Sequence, residues 1–155
     1  MPTATTDTAW AEHAFATLQA AGYRRGGART AVVEALARHD CAVTALDLDA
    51  ELGRRKPPIG RASVYRTLEQ LEQLGLVQRL EASRGTAGYE RVRPDGHHHH
   101  HAICRRCGRM EPFEDLGLER AIARVAGRVK VEVAEHDVVL RGLCDRCSRN
   151  SDSGH

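Results

Sequence analysis

Five consecutive histidines, His97 to His101, lead into Cys104 and Cys107, and a second Cys-x-x-Cys pair follows at Cys144 and Cys147. Each pair places two thiolates on one tight turn. Two such turns brought together supply the four soft ligands of a closed, tetrahedral structural zinc site. A closed four-thiolate site has no use for imidazoles, so the histidines imply a second kind of metal site. In an extended strand successive side chains alternate faces, which sends His98 and His100 one way and His97, His99 and His101 the other. One strand can therefore serve two sites. The fifth cysteine, Cys41, stands apart and reads either as a small buried filler or as a further ligand. A hydrolytic metalloenzyme needs an open metal position and a placed general base, and the chain has no HExxH or comparable arrangement. The sequence thus reads as a non-enzyme.

The elements that must position these ligands divide the chain. With 155 residues, 41% of them hydrophobic, the chain can bury a modest core, and a structural metal would help a small half to fold. The formal charge is only +2, but the basic residues are almost all arginine, with Lys56 and Lys130 the only lysines. Arginine suits bidentate recognition of phosphate and guanine. No apolar run approaches the roughly 18 to 20 residues of a membrane span, and the N-terminus lacks a secretory pattern. The expectation is a cytoplasmic protein, a reducing setting in which paired cysteines favour zinc over disulfides.

Residues 1 to 8 read as a loose arm. Helices are expected at about Ala9 to Ala21, Ala28 to Arg38, Ala45 to Leu52 with Thr44 as N-cap, and Arg61 to Leu74. The last buries Val64, Leu68, Leu71 and Leu74 and leaves Ser63, Arg66 and Gln70 opposite, with Tyr65 at the flank. Strands at Leu76 to Leu80 and Tyr89 to Val92, around the turn-like segment Ser83 to Gly88, add a hairpin. The sum is a winged helix-turn-helix over residues 1–93. Pro94-Asp95-Gly96 marks a boundary. Beyond it, over 97–150, the pattern is a small α/β metal-binding half: strands near His98 to Ile103 and Arg109 to Phe113, a helix near Leu116 to Ala126 with Leu118, Ile122 and Val125 inward, and a strand pair within Val129 to Leu143. The fold class is α+β. On the polar helix face Tyr65 and Arg66 are candidates for base-edge contact with Ser63 and Arg61 nearer the DNA backbone, and Arg25 and Arg29 are placed to reach phosphates.

Ser63-Val-Tyr-Arg-Thr-Leu-Glu, then His98-His-His-His-Ala-Ile-Cys-Arg-Arg-Cys-Gly, then His136 with Cys144-Asp-Arg-Cys eight residues on, form a joint pattern. In these motifs the chain resembles the ferric uptake regulator family of bacterial metal-responsive repressors, from about Ala11 to Cys147. The resemblance implies a homodimer with a winged-helix domain and a dimerisation domain, a divalent metal as corepressor, and double-stranded DNA with an inverted-repeat operator as partner. It also divides the ligands. Glu90, His99 and His101 form a sensing site, which Cys41 could complete, while His98, His100, Glu119 and His136 form an auxiliary site. His97 is left without a role.

The chain departs from the family pattern at three places. Gly26-Gly27 stands at a Thr-Pro helix start, Ala42 where many iron-type members carry a histidine, and Val92 where zinc-type relatives carry a cysteine. Imidazole and carboxylate without thiolate suit ferrous iron, whereas recruiting Cys41 favours zinc, so both metals stay open as corepressor. Two alternatives stand beside the repressor: a peroxide sensor of the same family, and a metal storage or delivery protein. The latter gives no use to an outward Tyr-Arg helix face.

Overall fold

The computed structural model describes residues 7–81, 86–94 and 99–149. The chain falls into two compact units, Met1–His97 and His98–His155. No helix among the described residues is long and apolar enough to cross a membrane.

The first unit is a winged helix. Helix α1 (Thr8–Ala20) starts where the Asp7 side chain accepts the backbone N–H of Trp10, so the arm expected over residues 1 to 8 is already capping and helical by Asp7 and Thr8. Residues 1–6 lie outside the described residues. Helix α2 (Gly27–Arg38) opens on Gly26, which offers no side-chain cap. Thr44 does two things: it pairs with Gly88 as the second residue of strand β1 (Val43–Thr44), and its hydroxyl caps helix α3 (Ala45–Gly53) by accepting the Asp47 N–H. Helix α4 (Arg61–Gln73) buries Val64, Thr67, Leu68 and Leu71, while Leu74 is the half-buried cap. Strands β2 (Val77–Glu81) and β3 (Ala87–Arg91) form the antiparallel wing, with β1 added to give the order β1-β3-β2. The two-residue β1 has no periodicity to betray it and exists because β3 offers it a ladder. All of the main core cluster, from Trp10 through Leu36, Leu48, Leu52 and Leu68 to Tyr89, belongs to this unit.

The second unit is built on strand β4 (His100–Cys104), which pairs antiparallel with β5 (Met110–Phe113) and parallel with β6 (Val139–Gly142). Between the last two runs helix α5 (Leu116–Val129), capped by the Asp115 side chain on the Leu118 N–H. The short α6 (Asp145–Arg149) ends the described chain. Two expectations need correction. Residues 129–138 form no strand: α5 continues to Val129 and closes with Lys130 in the left-handed region at φ 57°. Val129 is the last helical residue, and Val131 gives its N–H to the Ala126 carbonyl of the helix at 3.0 Å, where a strand would need a ladder partner. Nor are Leu118, Ile122 and Val125 buried. The first two are half-buried, and Val125 is exposed along with Leu116 and Val129, so the described residues leave much of this side of α5 uncovered.

Candidate metal centres

The parallel register of β4 and β6 sets Cys104 opposite Gly142, so the chain leaves both strands at the same end and meets its two cysteine turns there. At the first turn the Gly108 N–H bonds the Cys104 carbonyl at 2.9 Å, with Gly108 at φ 76°, a conformation that glycine adopts without steric penalty. At the second, the N–H groups of Cys147 and Ser148 both bond the Cys144 carbonyl at 2.9 Å. The four sulfurs lie within 4.8 Å of one another, and Cys107 Sγ sits 3.8 Å from Cys144 Sγ. Zinc–sulfur bonds of about 2.3 Å in a tetrahedron separate sulfurs by about 3.8 Å, so the donor set and its spacing fit structural zinc. Backbone N–H groups of Cys107 and Cys144 hold the Cys104 thiol down at about 5, while burial, followed by the neighbouring thiols, pushes Cys147 up to about 12. Four thiols this close compete for ionisation, and a dication would allow all of them to be thiolates.

In the first unit, Glu90 is buried on β3 and accepts the Gln78 side-chain amide from the facing position of β2 at 2.8 Å. Half-buried Cys41, just after α2, has its sulfur within 4.8 Å of a Glu90 carboxylate oxygen. In the second unit, His99 and His101 lie edge to face with ring centroids 5.2 Å apart and ligand nitrogens within 4.8 Å. They point together because they flank His100 in an extended segment.

His100 faces the other way. Its Nε2 is 2.7 Å from one oxygen of Glu119 on α5, and His136 Nε2 is 3.0 Å from the other. One carboxylate thus bridges two imidazoles, and the three groups bring ligand atoms within 4.8 Å. His97 and His98 lie outside the described residues.

Of the residues expected to meet DNA, Arg66 is exposed on α4 and Tyr65 is half-buried and packed against the core. Half-buried Ser63 uses its carbonyl to accept the Thr67 hydroxyl at 2.8 Å. Exposed Arg61 meets Asp49 of α3 at 2.8 Å, which raises its pKa. Arg25 lies 4.2 Å over the Phe15 ring. Arg29 donates to Gln70 of α4 and to the Arg24 carbonyl, both at 2.9 Å, and its guanidinium lies 5.0 Å from the Tyr23 ring centre. Gln70, expected to face outward, is thus engaged by Arg29. Arg91, which belongs to no motif of the sequence, has its guanidinium buried against Asp7 and the His39 carbonyl. Apart from a charge in a strand whose residues are buried on both faces, nothing local signals it, because Asp7 is 84 positions away.

The profile of the Ferric uptake regulator family matches residues 20–141. The ferric uptake regulation protein of Bacillus subtilis is 31% identical over 84% of this chain and 89% of its own length. Among solved structures, the Vibrio cholerae ferric uptake regulator superposes with a TM-score of 0.73 at 30% identity, covering 83% of this chain and 98% of that one. The Helicobacter pylori regulator superposes with a TM-score of 0.79 at 24% identity, covering 96% and 97% respectively, and so shares the fold.

Proposed function

Since the chain belongs to the ferric uptake regulator family, we propose that it is a transcriptional repressor that binds DNA when a divalent metal occupies a sensing site made of Glu90, His99, His101 and Cys41. The observation that carries this reading is that each unit holds two of these ligands already gathered, Cys41 with Glu90 in one and His99 with His101 in the other. Glu90 and His99 are only nine positions apart along the chain. An ion bound by both pairs restrains one unit against the other, and its differential affinity for that arrangement is the free energy that shifts DNA binding. The thiolate beside the carboxylate favours zinc over ferrous iron as the sensed ion. His100, Glu119 and His136, with His98, form the auxiliary site, and the four paired cysteines hold structural zinc.

In the DNA-bound state α4 enters the major groove, Tyr65 and Arg66 reach base edges, and Arg25, Arg29, Arg61 and Ser63 meet the backbone. The exposed apolar side of α5, with Leu116, Val125 and Val129, supports a homodimer that covers it. Two-fold symmetry then requires an inverted repeat with half-sites matched to the dimer, about 34 Å or a multiple apart. The test is retention of duplexes from a random-sequence pool by the zinc-retaining protein, with and without added zinc, iron(II) or manganese(II). Enrichment of a palindrome only when a second ion is added supports the reading, whereas the same enrichment without it, or none with any ion, refutes it.

A further inference from the structure

Arg91 follows Glu90 on β3, and its side chain is only 3% exposed although it carries a charge. Its two terminal nitrogens reach different elements. One donates to Asp7, whose other carboxylate oxygen caps α1 and whose backbone N–H bonds the Ala37 carbonyl near the end of α2 at 2.9 Å. The other donates to the His39 carbonyl at 2.9 Å, on the residue that caps α2, with the Asp40 carboxylate 3.9 Å away. The guanidinium also lies 5.7 Å from the centre of the Trp10 ring. Arg91 thus ties the strand that carries Glu90 to residues 39 and 40, immediately before Cys41.

A metal site gains from ligands that are held in place before the ion arrives, because the ordering cost is then already met. Cys41 sits between the end of α2 and strand β1, whose pairing with β3 holds the far flank, so the contacts of Arg91 hold the near one. We propose that Arg91 is a positioning residue for the sensing site: it sets the separation of Cys41 and Glu90 by clamping the segment 39–40 to strand β3, with Asp7 as counterion. This inference rests on the reading of Cys41 and Glu90 as ligands. A guanidinium is suited to the task because it is planar and forked, which lets one group bond two partners in a fixed geometry. A lysine supplies the charge but not the fork.

The experiment is a cobalt(II) titration of the full chain with zinc retained at the four cysteines, read by the thiolate-to-cobalt charge-transfer band and by affinity. Wild type, Cys41→Ser, Arg91→Gln, Arg91→Lys and Asp7→Asn are compared. Partners that orient metal ligands commonly alter affinity by about 10- to 100-fold, and Arg91→Gln is expected to weaken cobalt within that range and reduce the band. Arg91→Lys should recover the binding only in part. Asp7→Asn keeps a competent helix cap and removes the ion pair, so it should fold and fall between wild type and Arg91→Gln, which covers the case in which Arg91→Gln does not fold. If Cys41→Ser leaves band and affinity unchanged, Cys41 is not a ligand and both readings fail. If Cys41→Ser abolishes the band while folded Arg91→Gln, or Asp7→Asn where the former does not fold, binds cobalt as wild type does, the role given to Arg91 alone is overturned.

Discussion

Removing zinc from the four-cysteine site should unfold the second unit and leave the first intact. The buried apolar residues of the described second unit are Ile103, Cys104 and Cys147, and two of these are themselves zinc ligands in this account. Complete burial of an aliphatic side chain such as Ile103 contributes about 1.5–3 kcal/mol, whereas a structural zinc in a small zinc-dependent fold contributes about 10–16 kcal/mol. The metal therefore outweighs the apolar core several-fold in this half. The first unit, with its cluster from Trp10 to Tyr89, has no such dependence. The assay is hydrogen exchange followed by mass spectrometry, before and after chelation, with zinc content measured on the same sample. Peptides from 99–149 should lose protection, and those from α2 and α4 should keep theirs. Retained protection across β4 and α5 in protein proven free of zinc would refute the reasoning, because the unit would then be held by forces that its own core does not supply.

Thr44→Ala removes the hydroxyl that accepts the Asp47 N–H at 3.0 Å and should cost the first unit about 1 kcal/mol in urea unfolding. Burial tends to raise the Glu51 pKa, but bonds from Arg38 and His39 outweigh it and hold the carboxyl below its ordinary 4.5. Its folded value is thus depressed, so its stabilisation is complete above that ordinary value and is lost as pH falls through the folded one; Glu51→Gln should flatten this acid limb in unfolding at graded pH. For DNA, Arg66→Ala should cost about 1–3 kcal/mol and relax sequence preference, while Arg25→Ala should weaken all sequences alike and reduce the salt slope by about 1, both read by titrating a selected duplex at several salt concentrations.

Local chemistry was legible where a residue's role depends on its neighbours in sequence. Thr44 ahead of Asp47 marks a cap, Val64, Leu68 and Leu71 mark a buried stripe, and the two cysteine pairs mark soft-metal turns; all three features stand in the structure. Alternation along the histidine strand likewise places His99 with His101 and turns His100 towards Glu119. Features that depend on distant partners were not legible. Strand β1 exists only because β3 is beside it, and the Arg91 clamp joins residues from both ends of the first unit. The valines at 129, 131 and 133 have the period of a strand, yet 129 closes a helix, because periodicity describes a face and not the element that covers it. The apolar side of α5 reads as core in the sequence, yet Leu116, Val125 and Val129 lie exposed in the single chain, because an apolar stripe does not say what covers it.

In the proposed mechanism a second ion joins the two pairs of ligands and thereby fixes one unit against the other. Small-angle X-ray scattering of the zinc-retaining protein, titrated with added zinc, tests it in wild type and in Glu90→Ala. The account predicts a change in the wild-type profile that saturates with the sensing ion and is lost in Glu90→Ala. An unchanged wild-type profile, or the same change in the variant, would contradict it.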